Sequence, residues 1–135
     1  MNQQTKKGGE HLPPVLNDHT SIYLQIAKML EDGILRGIYP EETQVPSTNE
    51  LARTLRINPA TGAKGLNLLV EEGILYKRRG IGMFVAEGAV ARIRAKRRNE
   101  FSEQYMKPMV AEARKLGLTA EELQAMLTAA CQQEE

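Results

Sequence analysis

Apolar side chains recur along this chain at two different periods, and the switch between them divides it into elements. Ile22, Ile26, Met29, Leu30 and Ile34 repeat at three- and four-residue spacing. That stacks them on one face of a helix over residues 20–36, with Gly37 placed to end it. Residues 37–46 lose the period and read as a loop with room for a very short strand. Beyond Pro46, Ser47 and Glu50 stand three apart, as a capping box requires: the hydroxyl accepts from one backbone N–H while the carboxylate reaches back to another. They open a short second helix through Leu51, Ala52 and Leu55. Asn58 then suits an N-cap, and Pro59 a first helical position where no N–H is needed. The third helix should run to about residue 72, burying Leu66, Leu69 and Val70, with Gly73 closing it. Two helices joined by a tight turn outline a helix-turn-helix.

Residues 74–78 and 83–85 are brief apolar stretches around Arg79-Gly80-Ile81-Gly82. The two glycines permit a tight reversal, so the segment reads as a β-hairpin with a basic tip. A helix-turn-helix followed at once by such a hairpin is a winged helix. The helical period returns from residue 88 to about 107, with Val90, Ile93, Phe101 and Tyr105 as apolar contacts, and Pro108 is expected to break or kink it. The run continues to Leu116, and Gly117 punctuates it. Thr119 and Glu122 offer a second capping box, with Leu118 and Leu123 as its hydrophobic staple. The last helix is expected to carry Leu123, Met126, Leu127 and Ala130 inward. The expected fold is thus mainly α with a small β-hairpin: a flexible arm at 1–17, a winged helix-turn-helix at 18–86 and a helical dimerisation tail at 87–135.

Composition agrees with helices. Aromatics are 4% of 135 residues and tryptophan is absent, so the core must come from Leu, Ile, Val, Met and Ala. No stretch approaches the ~20 apolar residues of a membrane helix, and the opening MNQQTKKGGEHLPP lacks the apolar segment of a secretion signal. A cytoplasmic location and no membrane partner are expected. Cys131 is the single cysteine, which excludes an internal disulfide or a cysteine zinc site. No Ser/His or Cys/His pairing, phosphate-binding glycine loop or metal-ligand cluster has usable spacing, so no enzyme activity, metal or cofactor is expected.

The net charge of +1 conceals a segregation. Residues 76–98 hold eight basic side chains against one acid, whereas residues 99–135 hold three against seven glutamates. A basic block of this kind is either a footprint for a polyanion or a solvated helix face.

Several stretches now resemble a known family in order and spacing. They are Ser21-Ile22-Tyr23-Leu24-Gln25-Ile26; Leu35-Arg36-Gly37-Ile38-Tyr39-Pro40; Pro46-Ser47 with Glu50-Leu51-Ala52; Asn58-Pro59 with Thr61; Glu72-Gly73-Ile74-Leu75; and Arg78-Arg79-Gly80 with Gly82 and Phe84-Val85. Over residues 20–85 the chain resembles the DNA-binding domain of GntR transcriptional regulators. Only 50 residues follow Val85, too few for a large effector domain. Arg114-Lys115-Leu116-Gly117-Leu118-Thr119 with Glu121-Glu122-Leu123 resembles the YtrA-like subfamily. The resemblance implies a homodimer formed through the tail helices, binding to double-stranded operator DNA, and often control of a transporter operon. Repression is the expected sense, and a small-molecule effector is left open.

In a winged helix-turn-helix the motif's second helix enters the major groove and the hairpin touches backbone or minor groove. Asn58, Ala60, Thr61, Ala63 and Lys64 are therefore candidate contacts, with Arg78, Arg79 and Gly80 in the wing and Ser47, Thr48 and Asn49 at the start of the first helix. Ser47 has a purely structural reading as a cap. Residues 92–98 extend the footprint or pair with glutamates across a dimer. Phe101, Tyr105, Met109, Leu116, Leu123, Met126 and Leu127 are too many apolar side chains for a short exposed tail, and a second copy is the economical cover. Three features depart from the family: Asn49 where arginine is usual, Ile81 where a basic residue is frequent, and Gly62 and Gly65, each weakening the recognition helix by ~1 kcal/mol and so favouring its mobility in the free protein. These departures motivate a rival reading, a winged helix that has lost DNA binding and serves as a protein-interaction module.

Overall fold

In a computed structural model, residues 21–133 are described; the arm expected at 1–17 lies outside them. Helix α1 (Ile22–Leu35) buries Ile26, Ala27, Leu30 and Ile34 along one face. Helix α2 (Thr48–Leu55) begins with both halves of the capping box: Glu50 N–H donates to Ser47 Oγ at 3.1 Å and Ser47 N–H to Glu50 Oε1 at 2.7 Å. It ends at Arg56, which is left-handed with φ 56°, a conformation that costs a non-glycine residue about 1–2 kcal/mol. Helix α3 (Pro59–Glu71) starts with Ala60 N–H donating to Asn58 Oδ1 at 2.8 Å. Strands β1 (Leu75–Arg78) and β2 (Gly82–Val85) pair antiparallel, with Leu75 opposite Val85 and Arg78 opposite Gly82. The winged helix expected from the sequence is therefore present.

Inside it, Ile26, Leu30, Leu66, Leu69, Ile74 and Val85 share one core with Val45 and Leu51. Each such side chain, once buried, contributes ~1.5–3 kcal/mol. The approach of α3 to α1 depends on Gly65. A Cβ there would lie 3.0 Å from both the Tyr23 carbonyl oxygen and Ile26 Cγ2, so the glycine read as a weakness in the helix is what lets the two backbones meet. Gly62 differs, because its Cβ would find its nearest neighbour, the Thr48 carbonyl oxygen, at an ordinary 3.6 Å.

The loop before α2 does more than connect. Its residues 42–45 run along β2 as a third, very short strand: Glu42 N–H donates to the Val85 carbonyl, Val85 N–H to that of Thr43, and Val45 N–H to that of Met83, at 2.7–3.0 Å. One residue earlier, Glu41 accepts from Gly88 N–H at 2.9 Å and Val90 N–H at 3.1 Å. It thereby caps helix α4 (Ala89–Phe101) from 47 positions away. These two backbone donors favour the ionised carboxylate and hold Glu41 below the usual glutamate range. Because Ala89 and Ile93 are buried in the same core, the first compact unit extends to Ile93.

The second unit, Arg94–Glu135, contains the rest of α4, a π-helical turn at Ser102–Met106, helix α5 (Lys107–Lys115) and helix α6 (Ala120–Gln133). Of the break or kink expected at Pro108, the break does not occur, for helix is continuous from Ala89 to Lys115. Proline lacks an N–H and crowds the carbonyl four residues back; the preceding turn is widened, with Lys107 N–H donating to the Ser102 carbonyl five residues back. The second capping box forms as read, Thr119 N–H to Glu122 Oε1 at 2.8 Å and Glu122 N–H to Thr119 Oγ1 at 3.1 Å. The inward face of the last helix does not. Met126, Leu127 and Ala130 are exposed and Leu123 is half-buried. A unit this small encloses almost nothing by itself, and Ala113 is its one buried residue among those described.

The two glycines should respond oppositely to alanine. Gly65→Ala overpacks the α1–α3 crossing and should lose about 1–3 kcal/mol, whereas Gly62→Ala should gain up to ~1 kcal/mol of helix propensity; urea unfolding of both variants checks the signs. Glu41→Ala should lower the melting temperature at neutral pH. Since the folded carboxyl is depressed, its stabilisation is complete above the unfolded value of about 4.3 and is lost as pH falls through the folded value. Melting curves should therefore show wild type and variant converging only in that acidic window.

Candidate nucleic-acid interface

Helix α3 divides cleanly between two faces. Gly62, Gly65, Leu66 and Leu69 are buried, while Ala60, Lys64, Asn67 and Glu71 are exposed and Ala63 is half-buried, which at helical spacing forms one outward stripe. Of the contacts expected on this helix, Ala60, Ala63 and Lys64 lie on the stripe. Thr61 is half-buried on its flank, and Asn58 is exposed with its oxygen committed to the cap. Two residues on this surface were missed. Lys64 Nζ sits 4.1 Å from the centre of the Tyr23 ring, a cation–π contact that no local sequence pattern reveals. Asn67 was legible, since it continues the spacing set by Ala60, Ala63 and Lys64.

At the start of α2, Ser47 has its structural role, its hydroxyl holding Glu50 N–H. Thr48 packs toward α3, its methyl 3.8 Å from where a Gly62 side chain would begin, whereas Asn49 is exposed. The first turn of α2 is thus brought against α3, with Asn49 on its open side.

The wing is braced from below. Its reversal is closed by Ile81 N–H donating to the Arg78 carbonyl at 2.9 Å, and Gly80 at the third position has φ +75°, as a type II turn demands. Gln44 Nε2 donates to the Ile81 carbonyl at 3.1 Å. Tyr76 stacks on Phe84 with ring centres 5.9 Å apart and donates to Glu42 Oε1 at 2.7 Å. That hydrogen bond, with partial burial, pushes the phenol above its ordinary pKa and keeps it a donor. Arg78 lies over Phe84 at 4.8 Å, while Arg79 and Ile81 are exposed at the tip. The interface expected here consequently falls into three patches: the α3 stripe, the Asn49 side of α2 and the wing tip.

Among the described residues, no group of three or more His, Cys, Asp or Glu could hold a metal, and no helix is long and apolar enough to cross a membrane. A cavity of about 100 Å³ between α1 and α2, lined by Met29, Tyr39, Leu51 and Leu55 among others, is well below the ~300–1,000 Å³ usual for small-molecule sites.

Comparison with known proteins supplies the remaining step. Residues 22–85 match the bacterial regulatory proteins of the gntR family. The chain is 32% identical over 77% of its length to the HTH-type transcriptional repressor YtrA of Bacillus subtilis, covering 79% of that protein. A GntR-family regulator from Bacteroides thetaiotaomicron superposes with a TM-score of 0.71 at 33% identity, covering 84% of this chain and 99% of that one. The DNA-binding domain of AraR, in complex with operator ORX1, superposes with a TM-score of 0.51 at 28% identity, over 57% of this chain and 99% of that one. The chain belongs to the GntR family of bacterial transcriptional regulators, as a YtrA-like, DNA-binding winged helix-turn-helix protein.

Proposed function

We propose that this regulator represses transcription by binding a pseudo-palindromic operator as a homodimer. On this reading residues 18–86 carry the DNA-binding domain, whose folded unit reaches Ile93, and residues 87–135 the dimerisation tail. The observation that carries the dimer is the exposure of Phe101, Tyr105, Leu116, Met126 and Leu127, with Met109 and Leu123 half-buried, in a unit that has no core of its own. A second copy removes that apolar surface from water and sets two wings and two recognition helices for matching half-sites. Repression is supported by the name of the YtrA relative, and operator binding by the AraR complex. The DNA-contacting residues are Ala60, Ala63, Lys64 and Asn49 with Arg79 and Gly80 of the wing; Asn58, Thr61 and Arg78 flank them, and Ser47 and Thr48 position the first helix.

Arg79→Ala and Asn49→Arg should move salt dependence in opposite directions. Each phosphate contact changes the slope of log affinity against log salt by about 0.9, so the first variant should flatten it by roughly that amount and the second steepen it. Gel shifts on one duplex across a salt series read both. Slopes equal to wild type in both variants would remove Arg79 and Asn49 from the DNA interface, and no shift at any salt would favour the protein-interaction module.

Cutting the chain after residue 98 keeps Ala89 and Ile93 in the core and should leave a folded monomer with much weaker operator affinity. Sedimentation of the truncated chain as a dimer would refute the tail interface.

A further inference from the structure

Recognition helices commonly read guanine with an arginine or lysine, whose donors match the two acceptors of that base. Helix α3, with the sequence PATGAKGLNLLVE, has one cation, Lys64, and its ammonium rests over the Tyr23 ring on the α1 side. What remains on the outward stripe ahead of Glu71 is two methyl groups, Ala60 and Ala63, and the carboxamide of Asn67, which has no hydrogen-bond partner among the described residues. We propose that these three are the base-reading residues and that they select A·T pairs. The alanine methyls pack on thymine C5-methyl groups, and the Asn67 amide, one donor group beside one acceptor, pairs with adenine N7 and N6.

The spacing suits one half-site. Ala60 and Asn67 are seven residues apart on one face, ~10 Å along the helix at 1.5 Å per residue, or roughly three base pairs at ~3.4 Å. Ala63 falls between them. One turn beyond Asn67 the stripe ends in exposed Glu71, whose carboxylate repels phosphate, so only the first two and a half turns of α3 enter the groove. The inference rests on the reading of α3 as the groove-facing helix and adds the bases it selects.

The full-length protein would be used to select duplexes from a random library, and affinity for the selected duplex then measured with thymine and with deoxyuridine, which lacks only the C5 methyl. Selected half-sites should contain adjacent A·T pairs, and each deoxyuridine at an alanine-facing position should weaken binding about fourfold, the value of one buried methyl. Ala60→Gly should abolish that sensitivity at one position only, and Asn67→Ala should relax the preference for adenine about three base pairs away. Because the DNA substitution leaves the protein unchanged, it decides the matter even where a variant folds poorly. Salt-dependent binding indifferent to deoxyuridine, or guanine-led half-sites, would overturn the inference while leaving DNA binding intact; failure to select any duplex would overturn both.

Discussion

The winged helix depends on five residues that belong to no helix or wing strand. Along 41–45, successive groups reach in different directions: Glu41 to the first turn of α4, the backbone of Glu42, Thr43 and Val45 to β2, and Gln44 to the wing turn. Val45 at the same time enters the core. A two-stranded hairpin alone is marginal in water, and here a third backbone edge and a buried valine hold it. The basic tip can therefore be presented at a fixed place without a sheet of ordinary size.

Beneath the outward stripe of α3, the decisive contact is a missing side chain. Helix axes usually pack 8–10 Å apart, and a glycine at the crossing allows the near end of that range. Gly65 brings α3 down onto Tyr23 and Ile26, and the same proximity places the Tyr23 ring under Lys64. The core and the recognition surface are thus set by one close approach, so the loss of helix propensity at residue 65 is offset in tertiary packing.

What the sequence made legible was local. Both capping boxes, the proline-led start of α3 and the glycine turn of the wing are formed by residues within four positions of each other, and all four appear in the structure. Contacts between distant positions were not legible. Glu41 is an ordinary loop glutamate until α4 arrives 47 residues later, and nothing near Lys64 announces Tyr23. The tail shows a different limit. Its helices lie where the apolar spacing placed them, but periodicity says which side chains share a face and not whether one chain can cover them.

The wide turn at Ser102–Met106 also alters the phase of that face. One additional residue in a turn rotates everything after it by about 100° relative to an unbroken α-helix. Counted at the regular pitch, Met109, Ala113 and Leu116 drift around the helix away from Phe101; with one residue absorbed by the wide turn, they fall back into line with it. The tail's apolar seam is consequently a matter of reading frame in space. Deleting Glu103 or Gln104 would take out the residue that the wide turn absorbs, so an unbroken α-helix would keep the seam. One residue inserted elsewhere in the run, with no wide turn to absorb it, would divide a single seam into two that point apart.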